Sequence, residues 1–202
     1  MGQEVHQDWV IPLPAMHGLV DLLEDEWSCT TNPLVQEQVA SLEAFALITF
    51  CGSFRGSEAF MTDLHVLRKG MEETKQLGRD HVIIPLLGRF KGEQNTRYHL
   101  APLAGETKSG LKVQCWVKRL ITVRESSGRV RGPAFCDPAG EVASSFTHDV
   151  GFVERLLIVQ AARPDVIPAE VDISEQFGVS RSFRRVRRLS PAPGEWTTST
   201  LN

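Results

Sequence analysis

The chain has 202 residues, 42% hydrophobic and 23% charged, with 16 Gly and 11 Pro; that make-up fits one globular domain with its own core and excludes collagen-like, low-complexity and fully disordered chains. Its formal net charge of −3 hides an asymmetry, because residues 1–54 carry eight acids and no Lys or Arg, whereas all 22 basic residues and 17 acids follow, leaving that part at +5. A mildly acidic whole is therefore compatible with a local field that attracts phosphate.

The first residues, MGQEVHQDWV, lack the basic and apolar regions of a secretory signal. Residues 1–33 read as a lead-in, partly disordered, with Pro12 and Pro14 near its start. One short helix is predicted there, Gly18 to Trp27, with Leu19, Leu22 and Leu23 on one face. Asn32-Pro33 punctuates, and Leu34 to Phe50 follows as a buried helix with Val35, Val39, Leu42, Ala46 and Thr49 in register and Phe45 and Ile48 widening the stripe. Cys51-Gly52-Ser53 breaks it, and a second helix starts near Ser53 with Arg55 and Glu58 three apart. Met61 to Lys69 is expected as a strand or turn.

His81 to Phe90 and Arg97 to Leu103 read as a β-hairpin, with Lys91 at the entry to its turn. Gly110 to Glu125 is expected to be helical on Leu111, Trp116, Leu120 and Val123, and Ser126 to Gly140 is loop. A further helix is predicted over Ser145 to Ala162, with Phe146, Val150, Val153, Leu157 and Ala161 as its stripe and Pro164 just past it. The Arg-dense segment Ser180 to Arg188 closes the ordered part. The fold expected is α+β, mainly helical, a single domain with a small antiparallel sheet. The longest apolar runs, Ala44 to Cys51 and Val82 to Leu87, fall short of the ~20 residues that span a bilayer, so no membrane partner is expected. Cys29, Cys51, Cys115 and Cys136 have no metal-binding spacing, which suits scattered thiols of an intracellular chain and predicts no metal.

Three places offer chemistry. Arg181, Arg184, Arg185, Arg187 and Arg188 present guanidinium forks that match phosphate oxygens, although a solvated face, a basic tail or a nuclear-localisation patch accommodates the same residues. Arg55 follows the apolar helix and either pairs with Glu58 across one turn or serves a site. Lys91, on its hairpin turn, could reach a substrate oxygen or be an ordinary turn lysine.

In their order, Phe54-Arg55-Gly56-Ser57-Glu58, Gly88-Arg89-Phe90-Lys91-Gly92-Glu93 and Ser180-Arg181-Ser182-Phe183-Arg184-Arg185 resemble the catalytic domain of tyrosine recombinases, in particular integrase-like proteins of eukaryotic mobile elements. Gly132-Pro133-Ala134-Phe135-Cys136-Asp137 and Pro164 to Gly178 add to the likeness, which spans about residues 34–185. The resemblance implies a core like that of DNA breaking-rejoining enzymes, incomplete at its C-terminus, with 34–185 as the core and 186–202 as a disordered tail. It implies DNA strand cleavage and rejoining without metal or nucleotide cofactor, double-stranded DNA as partner, self-association on DNA, and a nuclear location in a eukaryotic host. By that likeness Arg55 and Arg184 hold the scissile phosphate, Arg185 adds a phosphate contact, and Lys91 is the general acid. Arg181 stands where the family usually has His, yet still can donate to phosphate.

The family's nucleophile, a tyrosine after the late Arg box, has no counterpart in Val186 to Asn202, and the single tyrosine, Tyr98, lies in the hairpin and reads as a strand residue. The expectation is a recombinase core inactive in cleavage, through decay of the element or a reading-frame slip near the Arg185 codon, with the family's N-terminal arm absent or reduced to 1–33. The alternative is a non-catalytic DNA-binding module derived from a mobile element. A plain interaction domain is the third.

Overall fold

The chain enters extended through Pro12, and Pro14 falls in the first turn of a helix, where a missing N–H breaks no bond. In the computed structural model, which describes residues 9–76, 80–88, 97–136, 145–179 and 181–183, this helix, α1, spans Leu13–Cys29. It is longer than the predicted Gly18 to Trp27. Ala15, Met16, Leu19 and Leu23 are wholly buried against the core, so this stretch is a packed layer and not a lead-in. Gly18 lets α1 pack closely on Val159, since a Cβ there would come within 2.8 Å of Val159 Cγ1.

Asn32 caps α2, Pro33–Gly52, by accepting the Leu34 N–H at 3.0 Å. Every residue from Val39 to Phe50 is buried, as expected of a helix that is apolar on all sides. It is the axis of the fold, in contact with α1 and with elements introduced below. By length and composition α2 alone among the described helices could cross a membrane, which the apolar runs had not suggested; 61% of that window is buried inside the fold.

A short helix, α3 (Gly56–Phe60), precedes α4 (Leu64–Gln76). The expected strand or turn over Met61 to Lys69 is thus mostly helix. Asp63 starts it, its Oδ1 accepting the Val66 N–H at 3.0 Å, and Leu64, Leu67, Met71 and Thr74 bury one side. Strands β1 (His81–Gly88) and β2 (Arg97–Ala104) form the predicted hairpin, antiparallel from His81↔Ala104 to Gly88↔Arg97. Bridges Thr62↔Leu86 and Asp63↔Pro133 tie the exit of α3 to β1 and to the loop after the next helix.

Helix α5 (Val113–Ser126) packs along α2, and α6 (Ser145–Ala162) has the predicted bounds. Its buried side differs from the predicted stripe. Phe152, Leu156 and Val159 face the core, while Val150 and Leu157 are 44% and 41% exposed. A single turn of helix, α7 (Ile173–Gln176), leads to the turn at 181–183. Among the described residues the result is a mainly helical α+β unit with one two-stranded antiparallel sheet.

Candidate functional site

Arg55 is positioned by the way α2 ends. Ser53 adopts the left-handed conformation (φ 53°), and its N–H and that of Phe54 turn back to the Thr49 carbonyl. The Phe54 ring then folds over Gly52, where a Cβ would come within 2.2 Å of it. Arg55 becomes the N-cap of α3, exposed, with its backbone N–H donating to Glu58 Oε2 at 2.8 Å. The Arg55–Glu58 spacing noted in the sequence is therefore a backbone cap, and it leaves the guanidinium projecting from an exposed position.

The late box is anchored just as firmly up to Phe183. Asp149 of α6 accepts the Val179 N–H at 2.7 Å, and burial pushes its carboxyl above the ordinary range against that hydrogen bond. The Arg181 and Ser182 N–H groups donate to Gly178 at 2.9 and 2.8 Å, Ser182 Oγ accepts from Gly178 at 3.0 Å, and Ile11 donates to the Ser182 carbonyl at 3.4 Å. Arg181 is exposed on this turn. Phe183 is wholly buried. Lys91, Arg184 and Arg185 lie outside the described residues.

A line of aromatic rings joins the two anchors. Phe60 at the end of α3 lies 4.5 Å from Phe45, Phe45 lies 6.2 Å from Phe152, and Phe152 lies 5.4 Å from Phe183, all between centroids. Phe135, from the fragment after Pro133, stands edge-on to Phe45 at 5.2 Å. His148 sits among these rings, 4.9 Å from both Phe45 and Phe60. Burial, and then the charge of Arg124, pull it down to about 4, so it is a neutral core residue at ordinary pH. Each ring pair adds about 0.5–1.5 kcal/mol beyond burial. The line holds α3 and the late turn in one rigid frame.

A second cluster, which the sequence did not single out, occupies the α1–α2–α5 side. Three acids of the basic-free segment meet arginines from later in the chain: Glu24 with Arg119 at 3.0 Å, Glu26 with Arg155 at 2.6 Å, and Glu37 with both Arg124 and Arg129. The charge asymmetry is thus partly spent inside the fold. Arg124, 1% exposed, also donates to the Ala134 and Cys136 carbonyls, and burial pulls its pKa below the ordinary value. Arg119 lies over Trp27 and Trp116, at 5.1 and 4.2 Å from their ring centres. Behind it Glu43 is fully buried with neither carboxyl oxygen hydrogen-bonded, and burial, reinforced by Glu24, pushes it up to about 10. Glu43 is uncharged at neutral pH. Burial also raises the Cys51 thiol to about 11. Among the described residues no group of three His, Cys, Asp or Glu is placed to hold a metal ion.

The signal for this cluster was Glu43 itself, a lone acid inside an apolar run. Its surroundings come from α1 and α5, which no local spacing reveals. No protein-family model matches the chain, and no curated protein matches it in sequence.

Proposed function

We propose that the chain is a DNA-binding core of the tyrosine-recombinase class, in which Arg55 and the late-box arginines hold the phosphodiester backbone of duplex DNA. The reading rests on the aromatic line from Phe60 to Phe183, which fixes the short helix begun by Arg55 relative to the turn that carries Arg181 and runs directly into Arg184. Rigid support is what a phosphate site needs, because donors set in advance cost no reorganisation when charge must be held. In this proposal Arg55 and Arg184 contact non-bridging oxygens, Arg181 and Arg185 extend the contact, and Lys91 reaches in from the hairpin whose β1 is bridged to the exit of α3 at Leu86.

Strand cleavage and rejoining is the reaction the class performs through a tyrosine. Here the one tyrosine, Tyr98, stands in β2 opposite Leu87, within the hairpin. The function proposed for these 202 residues is accordingly phosphate binding, the non-catalytic alternative among the sequence-based readings.

Binding of a generic duplex across a salt series tests this. Affinity should fall steeply with salt, and Arg55→Ala and Arg184→Ala should each weaken it and reduce the logarithmic salt slope by about 1, as loss of one phosphate contact requires. Binding untouched by Arg55→Ala but lost on deleting 184–188 would identify a basic tail only. No binding at low salt would leave an interaction domain.

A further inference from the structure

The segment ahead of α1 is built into the fold beside the late box. Ile11 is wholly buried, and Trp9 packs half-buried against the core. The Trp9 N–H donates to the Gln176 carbonyl at 2.8 Å, and the Ile11 N–H to the Ser182 carbonyl at 3.4 Å. These donors are two residues apart, a span of at most about 7 Å, whereas their acceptors are six apart in the chain. The segment therefore ties together the two ends of the turn that carries Arg181. On its other contacts the turn is already fixed, by Asp149 at the Val179 N–H and by the Phe177 and Phe183 rings, both packed on Phe152. The bond to Ser182 falls one residue before Phe183 and two before Arg184, so it helps to set the direction in which the chain leaves towards the arginines.

We propose that residues 9–11 are a strap that positions the late-box arginines, so that an N-terminal segment without one basic residue governs the affinity of the site for duplex DNA. The assignment rests on the phosphate-binding reading above and adds Trp9 and Ile11 to it as positioning residues. Neither touches the phosphate. Their part is to limit the freedom of the turn before DNA arrives, since a guanidinium on an anchored turn has less entropy to lose when it closes on an oxygen. Cleavage of the chain between Ile11 and α1 therefore weakens the site without altering any arginine.

The test compares the full chain with Trp9→Pro, with Trp9→Phe and with a form lacking residues 1–11. Proline has no N–H to give to Gln176, whereas phenylalanine keeps it. Hydrogen exchange at the Arg181 and Ser182 amides, which donate to Gly178, should quicken about tenfold in Trp9→Pro and in the shortened chain, with the buried α2 amides unmoved. Duplex affinity at low salt should fall severalfold in both and be retained in Trp9→Phe. If the shortened chain does not fold, the proline variant decides alone. Because the strap acts through the late arginines, Arg184→Ala should cost clearly less affinity in the Trp9→Pro chain than in the wild type, which a general loosening of the fold does not produce. Unchanged exchange at Arg181 and Ser182 in Trp9→Pro would overturn the strap and leave the phosphate-binding reading in place. So would quickened exchange with duplex affinity unaltered, or full additivity between Trp9→Pro and Arg184→Ala. A wild-type chain that binds no duplex at low salt overturns that reading itself, and the role of the strap with it.

Discussion

Two regions of the molecule hold it together by different physics. The aromatic region between α2, α3, α6 and the late turn is built from Phe45, Phe60, Phe135, Phe152 and Phe183 around a neutral His148. The charged region between α1, α2 and α5 is built from Glu24, Glu37, Arg119, Arg124 and a protonated Glu43. Ring packing is indifferent to salt and gives a fixed geometry, whereas buried charges cost desolvation and respond to pH. Arg55 and Arg181, two of the proposed DNA-holding residues, lie at the two ends of the first region.

The largest effect should come from cutting the aromatic line. Phe152 is wholly buried and its ring neighbours include Phe45, Phe177 and Phe183, so Phe152→Ala should destabilise by about 3–5 kcal/mol in denaturant unfolding. A loss well under that would mean that the line is loosely packed. On the charged side, Glu37→Gln removes the carboxylate that pairs with the buried Arg124. With Arg124 buried and still bonded only to carbonyls, the loss should be about 3 kcal/mol. High salt should not mimic it, since a pair this enclosed is poorly screened.

Opposite in sign, Glu43→Met should stabilise by about 1–3 kcal/mol near pH 8, because it removes a buried carboxyl without hydrogen bonds. The folded Glu43 keeps its proton until about 10, while in the unfolded chain it releases it near 4.5. Wild-type stability therefore declines as pH rises from about 4.5 towards 10, and the Met variant should lack that part of the slope. His148 works from the other end. Its folded value of about 4 lies below the ordinary 6.5, so stability falls as pH drops from 6.5 towards 4. Thermal melts across pH should peak between those limits. A wild-type curve that rises steadily from pH 5 to 9 would contradict the assigned state of Glu43. The smallest effect is expected at the exposed Arg163–Asp165 pair, where Asp165→Asn should leave the melting temperature unchanged.

Much of the fold was legible where local rules act alone. The hairpin followed from the Val-, Ile- and Leu-rich run at His81 and a second run from Arg97, joined by a polar stretch, and α6 had its bounds from Pro164 and from the apolar period before it. Which side of α6 is buried was not legible, because Val150, Val153 and Leu157 form as good a stripe as Phe152, Leu156 and Val159, and only packing against α1 and α2 decides between them. Helix α4 was missed because Met61 to Lys69 is too short a window; Asp63 and the period Leu64, Leu67, Met71, Thr74 declare it once the window reaches Gln76. At the candidate site, the break at Gly52-Ser53 before Arg55 was visible. Its role as a cap with Glu58 depends on the backbone geometry at the end of α2.

The central claim is that Arg55 and Arg184 serve one phosphate site, and a double-mutant cycle on duplex affinity tests it most directly. Residues that share a site couple by about 0.5–3 kcal/mol, so the Arg55→Ala, Arg184→Ala double variant should lose clearly less affinity than the two single losses combined. Strict additivity of two substantial losses would place the arginines at separate contacts and contradict the account.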